Sequence, residues 1–482
     1  MFFATTPHYL NQVQKFGNRE YAYELRSYWD KELKQSRHIS KYLGVVIDKD
    51  KKIFKKTIKE KLLKEEHILD FGDTYLLQKV IEKEGFRKII EDTFGEDANM
   101  LVNLICYKLC YPAAMRIAET WQNGNAIKHF CKAELKSQRI SELMVRIGDE
   151  DKYRTFFNKY LSFVNYSSDA LLLDITAMPN QIHMPFSQWG YHDEEIDKKV
   201  NLMLVVDRES KMPLLFRYIP GSVADVSCLT PTVDEMKKHG VKNTFSIFDA
   251  GFYSESNIRA LQGPDAKTTK IQFMVRIPSN NLIYKDVVQK SKDIENMKYA
   301  TVYGERGLFV KKHKIDLYGK TAFAYVVLDP VRKGRELRKF ILKRDEEGDI
   351  DNEKFIVMKK GIMVLISSLS LPEEEVVPLY YSRQIVELLF RFSKDDLDLL
   401  PLRVHKEESM RGYLLLIFIS LCVFLLLKKK LGKKKTVEEA LLILRNLKAK
   451  VFKDEIIIPE ITKKQRLLFE SCEIIVPKTA GI

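Results

Sequence analysis

Cysteine is scarce in this chain, with six in 482 residues and no recurrent spacing. That excludes a disulfide framework and suits a reducing compartment. The paired short spacings of structural zinc modules are also missing. Cys106 and Cys110 lie four apart with His129 and Cys131 further on, a set more in keeping with buried helical cysteines than with a zinc site. Glycine (21) and proline (15) show no excess, and 45% of residues are hydrophobic, which excludes a fibrous or mostly disordered chain. Acid is in deficit: 80 Lys and Arg against 66 Asp and Glu leave a net charge of +14. A balance of that sign points to a polyanionic partner, either nucleic acid or an acidic membrane. Long apolar runs are absent except for Tyr413 to Leu427, fifteen residues without a charge. A spanning helix needs about 20, so the run reads as a core helix, and the lysines at 428–430 complement its C-terminal dipole. The opening Met1-Phe-Phe-Ala lacks the basic region and apolar core of a signal peptide, and export is not expected.

The length exceeds one ordinary core and predicts two or three domains. Residues 1 to about 150 carry helical periodicity, with a helix opening at Asp73 and stopping near Gly85, and another from Ala98 broken near Pro112. A short strand-like segment, Tyr42 to Ile47, sits in the basic leader before them. This mainly helical region is a candidate for DNA binding. From about 165 the pattern becomes short apolar runs bounded by turn residues: 170–176, 200–206, 213–219, 244–248 and 270–277. Helices fit 230–239 and 255–261, so an α/β mixed sheet with flanking helices is expected. The core is assigned to 165–278 and 361–430, interrupted by a β-rich insertion at 279–360, with a basic C-terminal region at 431–482.

Asp174 lies inside the apolar run ALLLDIT, and an ionised carboxylate in a buried strand is costly unless paired or bound to a metal. Asp249 repeats the situation at the end of Phe245 to Phe248, before Ala250-Gly251. Each alone suits a hydrogen-bonded structural aspartate, whereas together two strand ends can converge on one cation. A helix expected from about 373 to 397 supplies a third element. On it Tyr380, Arg383, Glu387, Arg391 and Lys394 fall at roughly 0°, −60°, −20°, 20° and −40°, a single polar stripe on an otherwise apolar helix. The plain alternative is an amphipathic surface helix with Arg383–Glu387 and Glu387–Arg391 pairs. Asp207 reads as a hairpin-turn residue, Asp225 as a helix cap or supporting acid, and His192 with Asp193 as a polar turn.

Tyr380, Arg383, Glu387 and Lys394 reproduce the Tyr-Arg-Glu-Lys signature, and here the chain resembles the DDE transposases of bacterial insertion sequences, in their insertion-sequence-four-like branch. LLLDIT at 171–176 and FDAGFYSESNI at 248–258 resemble the first- and second-aspartate segments of that family, PGSVADVSCL at 220–229 the turn between them, and MVRIP at 274–278 a further familial segment. Two positions depart from the pattern: Ala250 stands where a basic residue is frequent, and Gln384 where an aromatic is. The resemblance implies a ribonuclease H-like core in which Asp174, Asp249 and Glu387 are catalytic and hold Mg2+, with Mn2+ as a substitute. It implies DNA contacts by Tyr380, Arg383 and Lys394, and Arg391 joins them by position. The implied partners are double-stranded DNA, as terminal inverted repeats and target, and a second copy bridging two ends, with no membrane. The implied place is the cytoplasm, at the nucleoid of a bacterium or archaeon. Two rival readings are a ribonuclease H-like nuclease that cuts without joining, and a catalytically silent, transposase-derived DNA-binding protein.

Overall fold

The computed structural model describes residues 9–16, 19–30, 35–48, 53–55, 65–164, 170–180, 183–192, 195–223, 225–241, 245–263, 271–343, 355–433, 435–452 and 455–481. They fall into two compact units, 1–66 and 67–482.

In the first unit β1 (Tyr9–Phe16), β2 (Arg19–Asp30), β3 (Gln35–Asp48) and β4 (Ile53–Lys55) form an antiparallel meander. The expectation of a mainly helical leader is therefore corrected for these residues. Tyr21, Tyr23 and Tyr42 pack ring against ring across β2 and β3, and aromatic and β-branched side chains favour a pleated surface. The strand-like segment 42–47 lies inside β3.

β5 (Glu65–Asp70) runs into the start of the second unit and joins the chain's far end, β16 (Lys448–Phe452), β17 (Glu455–Ile457) and β18 (Thr479–Gly481), in one sheet of order β18-β17-β16-β5. Helices follow at Gly72–Lys83, Phe86–Phe94, Ala98–Cys110, Ser137–Ile147 and Glu150–Phe163. They share a compact unit with the sheet that comes after them, so the first structural boundary lies near 66 and not near 150.

That main sheet has ten strands. β6 (Leu171–Pro179), β7 (Gln188–His192), β8 (Glu195–Asp207), β9 (Pro213–Pro220), β10 (Phe245–Phe248) and β11 (Gln272–Arg276) come before the insertion. β12 (Ala300–Tyr303), β13 (Arg306–Leu317) and β14 (Lys320–Leu328) lie within it, and β15 (Ile362–Ser367) follows. The order is β12-β13-β14-β15-β11-β10-β6-β8, with β7 and β9 both on the outer side of β8. β6, β10 and β11 run parallel, and β8 and β9 alternate in direction beside them. The expected mixed sheet with flanking helices is present. The insertion is not a separate sheet: β14 pairs along β15, so its hairpins extend the main one. It also carries helices at Leu282–Gln289 and Pro330–Lys343.

The apolar run lies in the helix Glu407–Leu431, where every residue from Met410 to Phe424 is buried by protein. Phe418 meets Phe156, Phe157, Tyr160 and Phe216, tying this helix to the helical layer and to β9. At its end Lys430 pairs with Glu84 at 2.9 Å. The protein is therefore expected to purify without detergent; recovery solely from washed membranes in detergent, with DNA cleavage retained in micelles, would contradict this placement.

Candidate active site

Sheet register sets the site. Along the parallel pair β6 and β10, Leu172 faces Ile247, an offset of 247 − 172 = 75, and Asp249 stands at the same offset from Asp174. Carried two residues past the last paired position, this register sets Asp249, just beyond the end of β10, level with Asp174 in β6, about 4.8 Å being the spacing of neighbouring strands. The next strand continues the row. Phe248 faces Val275, an offset of 27, which places Arg276 level with Asp249. Leu171 to Leu173 are buried while Asp174 is partly open, so this carboxylate marks the point where β6 emerges.

Glu387 arrives from the helix Gln384–Arg391, beyond the insertion. The expected continuous helix over 373–397 is corrected to three pieces: a helix Glu373–Tyr381, a turn at Ser382 and Arg383, and the second helix running into a π-helical turn over Phe392–Asp396. Nor is the second helix buried all round. Val386, Leu389 and Phe390 face the core, but Leu388 is 51% exposed.

The segment brings Arg383 to the centre of the site. Its Nη1 lies 2.8 Å from Asp174 Oδ2, and its Nη2 lies 3.0 Å from Glu387 Oε1 and 3.6 Å from Asp249 Oδ2. The Arg383 side chain is only 12% exposed, and its Nε has no hydrogen-bond partner. Such an orphaned buried donor costs about 1–3 kcal/mol. Tyr380 donates its hydroxyl to Asp249 Oδ1 at 2.7 Å and lies 5.8 Å below the Arg383 guanidinium. Lys394 reaches back to β6, donating to Thr176 Oγ1 and the Ala177 carbonyl, both at 2.8 Å. Arg391 is exposed at the end of its helix. Four of the five residues thus meet the two aspartates, the strand that carries one of them, or, for Glu387, the guanidinium between them, while Arg391 is exposed.

Electrostatics separate the two aspartates. Burial pushes Asp174 up to about 6; Arg383 and the Ile175 backbone N–H oppose this, and the charges of Asp249 and Glu387 add to it. Burial would also raise Asp249, but the Tyr380 hydroxyl, Arg383, the Ala250 N–H and Arg276 together hold it below the usual carboxylate range. Between pH 3.8 and about 6 the folded protein keeps a proton on Asp174 that the unfolded chain has released. This contribution to stability is complete below the lower value and is lost as pH rises through the upper one. In chelator, Asp174→Asn should therefore melt above the unsubstituted protein at pH 7.5, by an amount equivalent to about 2–3 kcal/mol, with the gap closing toward pH 4. Thermal scans at the two pH values check it, and a variant no more stable at pH 7.5 would contradict it.

Three oxygen-ligand carboxylates around one cationic group have the donor chemistry that magnesium or manganese takes. As they stand they surround a guanidinium: among the described residues no group of three or more His, Cys, Asp or Glu is close enough to hold an ion. The chemistry of the donor set fits a divalent cation, with the guanidinium standing in for its charge.

Sequence reasoning missed Arg276, Arg332 and Thr176. Arg276 and Arg332 line a cavity of about 100 Å³ together with Tyr380, Arg383, Gln384 and Glu387. The signal available for Arg276 was a basic residue closing a parallel strand next to Asp249. Of the other acids, Asp207 ends β8 and accepts from the Ser210 N–H at 2.8 Å, as a turn residue does, and Asp225 opens the helix Asp225–Lys238. His192 ends β7, and Asp193 lies outside the described residues. Cys106, Cys110 and Cys131 are buried in the helical layer, where burial pushes their thiols up.

Residues 165–423 match the family model described as Transposase DDE domain. Among solved structures the chain is similar to a piggyBac transposase in a synaptic complex with hairpin DNA, at 11% identity and a TM-score of 0.43, covering 72% of this chain and 69% of that one. No curated protein sequence matches.

Proposed function

Because the chain belongs to the transposase DDE domain family, whose model matches more than half of it, we propose that it binds the terminal inverted repeats of an insertion sequence and performs metal-dependent strand cleavage and strand transfer. One observation carries the proposal. Asp174 on β6 and Asp249 just past the end of the parallel β10 meet one guanidinium, and Glu387 is delivered to it from beyond the insertion. The strand order β9-β8-β6-β10-β11, with β6, β10 and β11 parallel, supports a ribonuclease H-like core.

In this reading Asp174, Asp249 and Glu387 would hold magnesium, or manganese in its place. Bound there, divalent cations would supply positive charge to the attacking and leaving oxygens of an in-line displacement at phosphorus. Tyr380 fixes the orientation of the Asp249 carboxylate. Lys394, tethered to Thr176 and Ala177, holds the signature segment against β6 and sets a positive charge beside the scissile strand. Arg383 and the exposed Arg391 would contact DNA phosphates, which positions the strand without reading its sequence. Water releases a 3′-hydroxyl at the element's end, and that hydroxyl then attacks target DNA, one phosphodiester bond breaking as another forms. Two copies would bridge two ends.

End recognition is assigned to the first 150 residues or so. Residues 1–66 hold 15 Lys and Arg against 9 Asp and Glu, and Arg26, Arg37, Lys41, Tyr28 and Trp29 are exposed on the meander. Phosphate contacts release counterions, so affinity should fall steeply with salt. A chain beginning at 67 should lose most of its preference for terminal-repeat DNA over random DNA at 150 mM salt; retention of the preference would take recognition out of the meander and leave it to residues beyond 66. The overall reading is tested by incubating the protein with magnesium, a plasmid and DNA carrying the inverted repeats that flank its gene. Joined products support it, nicked products alone favour the nuclease that cuts without joining, and binding without cutting favours the silent DNA-binding protein.

A further inference from the structure

Arg383 is the feature that the proposed chemistry does not absorb. A residue that only contacts DNA has no need to be buried among the catalytic acids, yet this guanidinium touches all three of them, at 2.8, 3.0 and 3.6 Å. It lies between the three acids, which are held around it and, among the described residues, are not close enough to share one ion. Two planar N–H-bearing nitrogens also spread the carboxylates wider than a single ion does, since a guanidinium bonds through two separated atoms. The fit is incomplete, because Nε is buried and orphaned. A second station lies directly beside it. The cavity of about 100 Å³ is close to the size of one phosphate group, and three of its lining residues are Arg276, Arg332 and Arg383, against the single acid Glu387. Arg276 comes from the core strand level with Asp249, while Arg332 comes from the insertion helix Pro330–Lys343, where its Nε pairs with Glu336 at 2.6 Å.

We propose that Arg383 is a built-in cation that holds the three acids in the metal-free protein and is handed to a DNA-strand phosphate, seated beside Arg276 and Arg332, when divalent ions take its place. The proposal rests on the reading of Asp174, Asp249 and Glu387 as the metal-holding acids. The guanidinium is a positioning group in the first state and a phosphate ligand in the second. A charge that must leave one partner before it meets the other couples the two binding events, so each ligand raises the affinity for the other by the same factor. The device keeps the acids paired until both ions and strand are present, and it gives the insertion a part at the site through Arg332.

The test uses the full chain and Mn2+ alone, read by electron paramagnetic resonance of the free ion, with Arg383→Gln, Arg383→Lys and Asp174→Asn beside the unsubstituted protein. Circular dichroism confirms that each variant is folded. Removing the competitor should tighten Mn2+ binding on the order of ten-fold in Arg383→Gln, with Arg383→Lys in between. In the unsubstituted protein, a 20-base-pair duplex should tighten Mn2+ binding, and Arg383→Gln should lose that linkage, as Arg276→Gln and Arg332→Gln should in part. Equal or weaker Mn2+ binding by folded Arg383→Gln, while Asp174→Asn binds less than the unsubstituted protein, would overturn the handover and leave the metal site standing. Mn2+ binding that Asp174→Asn does not alter, or none at all, would overturn the metal site and the handover with it. Linkage produced equally by inorganic phosphate at millimolar concentration would show a free-anion site and overturn the DNA-strand assignment.

Discussion

Glu387→Gln and Asp249→Asn should each reduce magnesium-dependent cleavage by at least about a thousand-fold while leaving the fold and DNA binding in place. The amide removes a charge with almost no change in volume. Glu387 is half exposed and contributes one ion pair to a guanidinium that keeps a second partner in Asp174, so little stability is at stake. Asp249 keeps its hydrogen bond from Tyr380 if the amide oxygen faces the hydroxyl. Asp225→Asn is the control, since that residue opens a helix and belongs to neither β6, β10 nor the signature segment, and it should retain most activity. Gel assays of end cleavage, with binding measured on the same DNA, separate the two effects. Near-normal cleavage by Glu387→Gln would place the third acid elsewhere.

A second large effect is expected far from the chemistry, at Gly412. Inside a solvated or lipid-facing helix, Gly→Ala normally stabilises by up to about 1 kcal/mol. Here the sign should reverse. A Cβ on Gly412 would stand 2.0 Å from the Met144 carbonyl oxygen, and one on Gly148 would stand 1.9 Å from that of Glu408. The end of the helix Ser137–Ile147 and the start of Glu407–Leu431 therefore approach backbone to backbone, and neither carbonyl can step aside without moving its helix. Gly412→Ala should cost about 3 kcal/mol, visible as a fall of several degrees in melting temperature and loss of soluble protein. A neutral or stabilising Gly412→Ala would show that this helix is not clamped at its start and would weaken its placement as a core element.

The site was more legible in the sequence than the fold around it. A charged residue inside an apolar strand is conspicuous because burial makes it costly, so Asp174 and Asp249 announced themselves, and parallel pairing then placed them side by side. Glu387 was legible through helical spacing, although the stripe argument assumed one helix where the chain turns at Ser382 and Arg383. That turn lets Arg383 lie inward among the acids instead of along a surface stripe. What could not be read was pairing between distant segments. β5 and β16 to β18 lie more than 370 residues apart and share one sheet, and β14 extends the core sheet through β15, neither of which leaves a local pattern. In the meander of β1 to β4 a strand signal was present, Tyr21, Tyr23 and Leu25 alternating along β2, and the helical reading of the leader passed over it.

The central claim is that acids from β6, from the end of β10 and from the helix after the insertion hold one divalent-metal site. Anomalous scattering from crystals grown with Mn2+ measures it most directly. The account predicts manganese in coordination contact with Asp174, Asp249 and Glu387 together and the Arg383 guanidinium displaced from among them. Manganese bound at other residues, or by only one of the three acids with Arg383 unmoved, would contradict it.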